Sequence, residues 1–423
     1  MRIAILGGGL TGLTAAYELA KKNHNIVVLE KENRLGGLAS GFKKENFKWY
    51  LEKNIHHLFS NDKDILKFSK EIGFDKIFFK LTKTGSLYNI QNNSRIIPLD
   101  TPQDLLAFPT LSIFDKVRTG IMLVFLKLTP NLKLFEKITA KEFIIRFSGK
   151  RAWKVLWEEL FRKKFGKYAG IILSSFFWAR IKKRTKKLGY IKGGFQELIN
   201  HIEKKSIMHN VKIYKNCEIK EIKKTKNQFI INNQRFDKVI CTLQTPIITR
   251  IASNILPKKY IKRLKKIKYI HSVSVILESK KQLIDNFYWI NILDRLNKIM
   301  CIVTHTNFID KANYGNKIIT YMFNYVDEDS EIFIKKESNL SVFYIENMQR
   351  INPKINKEII SHNTFFNYYS QPIYDKIFIK NKPNFITPLK NFYIANLDMT
   401  YPFDRGTNYA IKIGKKVASF ITH

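Results

Sequence analysis

The sequence predicts an α/β chain: a three-layer domain assembled from separated segments, beside a mixed α+β domain that carries a helical insertion. Three observations predict it. A strand–glycine–helix–strand run occupies the first 30 residues. A strand followed by a glycine-led helix fills the last 33. Between them lie a stretch of helix formers and aromatics and then a stretch of β-branched alternation.

The first element, Arg2-Ile-Ala-Ile-Leu6, is a short apolar run of the buried-strand type. Gly7-Gly8-Gly9-Leu10-Thr11-Gly12 follows and satisfies GxGxxG through Gly7, Gly9 and Gly12. Leu13, Ala16, Leu19 and Ala20 then recur at helical spacing, and Asn25-Ile-Val-Val-Leu-Glu30 reads as a second strand. Each residue type has a reason. Gly7 permits the tight turn, Gly9 lets the backbone approach a pyrophosphate, and Gly12 lets helix and strand pack closely. The helix N-terminus offers free N–H groups and positive dipole. Glu30, 18 residues after Gly12, supplies a carboxylate for ribose hydroxyls. The domain so begun is Rossmann-like and binds a dinucleotide.

The next segment, Lys31-Glu32-Asn33-Arg34-Leu35-Gly36-Gly37-Leu38-Ala39-Ser40-Gly41-Phe42, brings a second glycine pair. It lets the backbone lie against another part of a long dinucleotide, and Arg34 can reach the pyrophosphate. The run from Gly7 to Phe42 resembles the N-terminal signature of the flavin amine oxidase, protoporphyrinogen oxidase and phytoene desaturase superfamily. Three later segments resemble the same superfamily in the same order. They are the glycine turn and helix from Gly189 through Ile199, a strand pair at Val211–Tyr214 and Glu218–Ile222, and the strand Asp237–Thr242 with its Thr245-Pro246 turn. The closing strand Asn391–Ala395, the loop through Arg405 and the helix from Gly406 resemble its final motif. There the chain departs from the pattern: Ala395-Asn396-Leu397-Asp398 stands where many members read Ala-Gly-Asp, which leaves Asp398 in doubt.

The resemblance implies FAD as cofactor. It implies contacts from Gly7, Gly9, Leu10, Thr11 and Gly12 at the first turn, and from Glu30, Lys31, Arg34, Gly36, Gly37 and Leu38 along the second strand and its glycine pair. Ile219 would meet the adenine, and Gly406, Thr407 and Asn408 the flavin edge. It also implies hydride transfer between an organic substrate, glycan- or isoprenoid-related or otherwise anionic, and flavin N5. His57 is the first candidate for a catalytic group near the ring, followed by Arg405 and His305; histidine's near-neutral pKa permits such a role without requiring it. Asn54-Ile-His-His-Leu-Phe59 with Ser60-Asn61-Asp62 resembles the His-bearing segment of UDP-galactopyranose mutases. The alternative function is therefore a mutase that uses reduced flavin without net redox. Gly149–Trp153, His305–Phe308 and Asp404–Tyr409 are more similar to a group of bacterial and archaeal FAD-dependent oxidoreductases often encoded beside glycan genes.

The domains expected are a cofactor domain from residues 1–75, 189–255 and 386–423, a helical insertion at 76–188, and a sheet-based substrate part at 256–385. In the insertion, Trp153, Trp157, Phe161 and Phe165 are spaced four apart, a stripe read as core. The Asp115–Leu128 stretch reads as a buried helix in preference to an interfacial one. Its longest apolar run, Ile121–Leu128, is far below the roughly 20 residues that span a bilayer.

Three cysteines, Cys217, Cys241 and Cys301, form no CxxC pair, which argues against a zinc site or disulfide framework. No metal is expected. The first strand begins at Arg2 without a leader, so the expected location is the cytoplasm, free or peripheral to the inner face of the membrane. The formal net charge of +39 admits two readings, compositional drift toward lysine or an anionic partner. Lysines run along the whole chain and no nucleic-acid motif is present, so nucleic acid is not expected. If the charge is functional, the cluster from Arg162 to Lys187 beside Phe176, Phe177 and Trp178 is the place to find it, facing an anionic substrate or lipid surface.

Overall fold

A computed structural model describes residues 1–90, 93–284, 286–335 and 337–421, the last without the side chains of 337–339. Among the described residues the chain builds two main sheets. The first is a five-stranded parallel sheet in the order Lys212–Tyr214, Asn25–Leu29, Arg2–Leu6, Lys238–Cys241, Phe392–Ile394. Its strands come from the front, middle and end of the chain. Arg2–Leu6 and Asn25–Leu29 are buried over their last four residues because both faces are covered, while the edge strand Lys212–Tyr214 is exposed at both ends. Ile3, Ile5, Ile26, Val28 and Ile240 pack against the Leu10–Ala20 and Thr407–Ser419 helices, through Ala15, Ala16, Leu19, Ile413 and Val417. Ala4, Leu6, Val27, Leu29, Val239 and Cys241 face the opposite way, toward Phe229, Ile231 and Phe236 of a small three-stranded sheet. Helices, parallel sheet and small sheet make three layers.

The second sheet has seven strands in the order Ile359–Pro372, Tyr269–Ser279, Ile318–Val326, Cys301–Thr304, Trp289–Ile292, Thr84–Ile90, Asn93–Ile97. The Tyr269–Ser279 strand is buried along its whole length. The Thr84–Ile97 hairpin joins this sheet by parallel pairing of Trp289–Ile292 with Thr84–Leu87. The 76–188 segment is thus not helical throughout: it opens with three strands, at Ile77–Leu81, Thr84–Ile90 and Asn93–Ile97. Leu87 and Tyr88 are buried in that hairpin, and their long-range partners, invisible in local composition, decide its conformation. A second difference lies at Glu218–Ile222, which is irregular, with the next strand only at Lys223–Lys224.

The rest of the insertion is helical, at Pro102–Leu106, Ile113–Leu128, Ala140–Ser148, Lys150–Phe165 and Ser174–Lys183. Thr139 and Glu142 form a capping box that starts the third of these. A π-helical turn at Trp153–Trp157 interrupts the fourth. Trp153, Trp157, Phe161 and Phe165 are all buried, with Trp153 and Phe165 on either side of Phe161 at 5.4 and 5.9 Å between ring centroids, while Trp157 packs on Phe177. The Ile113–Leu128 helix departs from the buried reading. Thr119, Met122 and Leu126 face the core, but Phe114, Val117, Ile121, Val124 and Leu128 are exposed. Among the described residues no helix is long and apolar enough to cross a membrane.

Candidate flavin and substrate site

The two N-terminal glycine runs lie side by side. Gly36 N–H donates to the Gly8 carbonyl at 2.9 Å, and Gly9 bridges Gly36 in parallel. Gly7 N–H donates to Leu29 O, which ties the turn to the second strand. A Cβ on Gly12 would stand 2.1 Å from the Gly7 carbonyl oxygen, so that glycine is needed for the helix to meet the turn. Gly9 differs: an added Cβ would meet nothing within 4 Å. Its open side lies at the N-terminus of the Leu10–Ala20 helix, whose first turn, with Leu10, Thr11 and Gly12, carries no side-chain cap and no acidic residue. Unsatisfied N–H groups and helix dipole at a space that no protein atom fills are the chemistry of a phosphate site.

Glu30 sits beside this cradle, buried, with Oε2 accepting from Gly8 N–H at 2.7 Å and Oε1 from Glu32 N–H at 3.0 Å. Each oxygen retains acceptor capacity for a ribose hydroxyl. Arg34 donates to Gly41 O at 2.8 Å and lies over the Tyr50 ring, which anchors it at the edge of the second glycine pair. Gly37 is exposed, Leu38 is partly buried, and Lys31 is exposed and paired with Glu32. Ile219 is buried on the segment that turns past Glu30, where Cys217 N–H donates to Glu30 O.

The end of the chain closes on the same place. Gly414 brings the Thr407–Ser419 helix so near the first helix that a Cβ there would stand 2.6 Å from Thr11 O. Gly406 begins this helix without a side-chain cap. Thr407 and Asn408 are buried, but the Asn408 side chain is already committed: Oδ1 accepts from Ile65 N–H and Nδ2 donates to Asp64. Each of its side-chain polar atoms thus already makes one hydrogen bond. Asp398 lies in a closed network with Thr245 and Tyr269, and burial pushes its carboxyl up to about 6. It is a structural acid.

Five segments then converge on a charged cluster. Asp404 receives Lys164 Nζ at 2.6 Å and Arg180 Nη1 at 2.7 Å. Burial opposes its ionisation, but the Lys164 and Arg180 charges hold its carboxyl down at about 2. Burial pushes the Lys164 amine down to about 8, against the raising pull of Asp404. Arg405 lies over Tyr325 at 5.2 Å and Phe323 at 5.7 Å, and its Nη1 is buried with no hydrogen-bond partner among the described residues. His57 is partly buried among Phe59, Tyr288 and Trp289, with Nδ1 3.4 Å from the Tyr288 hydroxyl. Burial, then the charges of His56, Arg180 and Arg184, lower it to about 4, so it is neutral at pH 7. His56 is lowered to about 4 by burial, with Arg405 contributing.

His305 is not brought to this cluster. It is buried, packs edge-on against Tyr190, Tyr314 and Tyr321, and has Nε2 2.8 Å from the Tyr314 hydroxyl. Burial lowers it to about 3. It is a neutral, buried histidine with its hydrogen bond to Tyr314 made. Nearby Glu52 is also buried and pushed up to about 7, accepting from the Tyr190 hydroxyl and Phe195 N–H. Sequence reading missed the pairing of Lys164 and Arg180 with Asp404. The available signal was Lys163-Lys164 set between the core residues Phe161 and Phe165, where solvated lysines are out of place. Among the described residues no group of three His, Cys, Asp or Glu could hold a metal.

A model of the flavin-containing amine oxidoreductase family matches residues 10–328, which begin just after Gly9 and include the second glycine pair, the helical segment and most of the second sheet. The chain belongs to that family. Its cofactor is FAD, and the open space at Gly9 and the uncapped helix N-terminus fit the pyrophosphate of that group. As a family member the chain is 27% identical over 296 residues to a 4,4'-diapophytoene desaturase of Staphylococcus haemolyticus, a match covering 61% of this chain and 57% of the relative. The chain thus spans little more than half of that relative's length. An oxidoreductase from Methanosarcina mazei superposes with a TM-score of 0.75 at 17% identity, covering 100% of both chains. A reduced UDP-galactopyranose mutase superposes with a TM-score of 0.74 at 14% identity, covering 100% of this chain and 95% of the mutase. At these identities both show the fold.

Proposed function

We propose that the protein is an FAD-dependent oxidoreductase acting on an organic anion, whose carboxylate or phosphate is held by Arg405 with Lys164 and Arg180. The observation that carries this reading is the buried, unpartnered Nη1 of Arg405. A buried guanidinium nitrogen without an acceptor is costly, and here it lies beside two further cations that share one carboxylate. An incoming anion would satisfy it. Bound FAD supplies two-electron redox chemistry.

The chain's residues do the rest. The first glycine turn, Glu30 and the second glycine pair would hold the dinucleotide, and the uncapped start of the Thr407–Ser419 helix would offer N–H groups to its ring. Asp404 keeps Lys164 and Arg180 oriented, and the Phe323 and Tyr325 rings fix the plane of Arg405. His57, neutral at pH 7 by burial, donates or accepts a hydrogen bond beside the substrate without adding charge.

Anaerobic mixing of the yellow enzyme with a panel of carboxylated and phosphorylated compounds tests the reading. At least one anion should bleach the flavin, and Arg405→Met should weaken its binding by about 2–4 kcal/mol. Neutral analogues bleaching the flavin as readily as the anions would overturn the anion assignment. Interconversion of UDP-galactopyranose by dithionite-reduced enzyme, with no acceptor consumed, would replace the oxidoreductase reading with the mutase one.

A further inference from the structure

The cations expected to face a lipid surface or anionic ligand, from Arg162 to Lys187, are mostly engaged within the protein. Arg162 and Lys163 pair with Glu159, Lys164 and Arg180 with Asp404, Lys167 with Asp329, Lys183 with Asp62, and Arg184 with Asp100. Among the described residues Lys182, Lys186 and Lys187 have no ion pair, and a larger group without one lies elsewhere. Lys116, Arg118, Lys127, Lys133, Arg146 and Lys150 sit on or beside the Ile113–Leu128 helix, and among the described residues none is within ion-pair distance of a carboxylate. Several are instead fixed by backbone carbonyls, which leaves their charge uncancelled: Lys116 donates to Leu106 O, Arg118 to Arg146 O and Phe147 O, and Lys127 to Ile181, Lys182 and Arg184 O.

The same helix presents an apolar ridge. Phe114, Val117, Ile121, Val124 and Leu128 follow at intervals of three and four, which places them on one face. They are 66%, 49%, 65%, 58% and 74% exposed, while Met122 and Leu126 behind them are buried. Phe125, stacked on Phe147, and Leu134 extend the ridge sideways, and all three are exposed. Sixteen helical residues make a ridge about 24 Å long. An apolar strip of that size on a monomer surface marks an interaction site.

We infer that this helix lies in the headgroup region of an anionic lipid bilayer, with its apolar ridge toward the acyl chains and its rim of lysine and arginine on lipid phosphates. The geometry is that of an amphipathic helix lying in the plane of the interface, which buries its apolar face about 5–10 Å. The rim decides between occupants. A second copy docking on the same ridge would bring two rims of uncancelled positive charge together, whereas an anionic bilayer supplies the complementary sign. The inference is independent of the substrate, because no residue of the Arg405 cluster belongs to the ridge.

The test is sedimentation of the FAD-loaded full chain with vesicles of phosphatidylcholine alone or mixed with phosphatidylglycerol, at low and high salt. Binding to the mixed vesicles should be at least about tenfold tighter, and salt should weaken it. The Val117→Asp/Ile121→Asp variant should lose binding to both vesicle types. Lys133→Glu/Arg146→Glu/Lys150→Glu should lose the preference for anionic lipid, and reversal of the distant Lys262, Lys265 and Lys266 should not. Flavin content and melting temperature establish that each variant is folded, since every altered side chain is solvent-facing. Equal binding by the ridge variant and the parent would overturn the inference. So would a failure of the parent to bind, or a concentration-dependent dimer that the ridge variant abolishes.

Discussion

At Gly9 an added methyl group would meet no atom within 4 Å, whereas at Gly12 it would strike the Gly7 carbonyl. The two glycines of one motif therefore do different things: Gly12 is required by the protein and Gly9 by its ligand. Gly9→Val should give a folded chain, by circular dichroism and melting temperature, that loses most of its FAD; Gly12→Val should lose the fold itself. Equal damage from both would refute the distinction. Charge at the substrate cluster gives a second residue-level prediction. Burial sets the Lys164 amine near 8, so Lys164 is cationic below that pH and neutral above it. Affinity for an anionic substrate should fall as pH rises through about 8, and Lys164→Met should flatten the profile. The glycine turn was legible in sequence because its demands are local. The Lys164–Asp404 pair was not, because its members stand 240 residues apart and only the fold makes them neighbours.

The Ile113–Leu128 helix shows what periodicity can and cannot convey at the scale of an element. Its apolar content predicts a helix correctly, but with apolar residues around most of its circumference the sequence does not say which face is inward. The structure buries Met122 and Leu126 and exposes Phe114, Ile121 and Leu128. Leu126→Ala should destabilise the protein by about 2–5 kcal/mol by leaving a cavity. Ile121→Ala should change stability by no more than about 0.5 kcal/mol. Denaturant titration of the two variants checks this, and similar losses would mean that the ridge is packed in solution. The Thr84–Ile97 hairpin failed to show in sequence for a related reason: its strand partner, Trp289–Ile292, lies some 200 residues on. Two strands of the parallel sheet were easier, since burial on both faces makes residues 3–6 and 26–29 short apolar runs.

Across the whole molecule, the ends of the chain were the more legible parts. Both carry glycines at close approaches, and close approach leaves a residue-type signature that packing in the middle of the chain does not. The parallel sheet takes strands from residues 2–6, 25–29, 212–214, 238–241 and 392–394, so a ligand at the head of this sheet is held by segments from the full length of the chain. The positive excess resolves in part into structure. Cations from Arg162 to Arg184 tie the helical segment to the Asp404 loop and to Asp62 and Asp100; the excess is therefore not wholly a surface coating. His305 is buried, which its sequence neighbours did not reveal, since a histidine's burial depends on tertiary contacts.

The central claim is that the first 42 residues and the closing helix form the two halves of one flavin site. The most direct measurement is the visible spectrum of the purified full-length chain, followed by quantitation of the cofactor released on denaturation. The account predicts a yellow protein with flavin absorption bands and FAD, not FMN, released at about one per chain, with the colour lost when the chain is cut before Asp404. A colourless chain that also fails to take up added FAD would contradict it, as would a truncated chain that keeps its full complement of FAD.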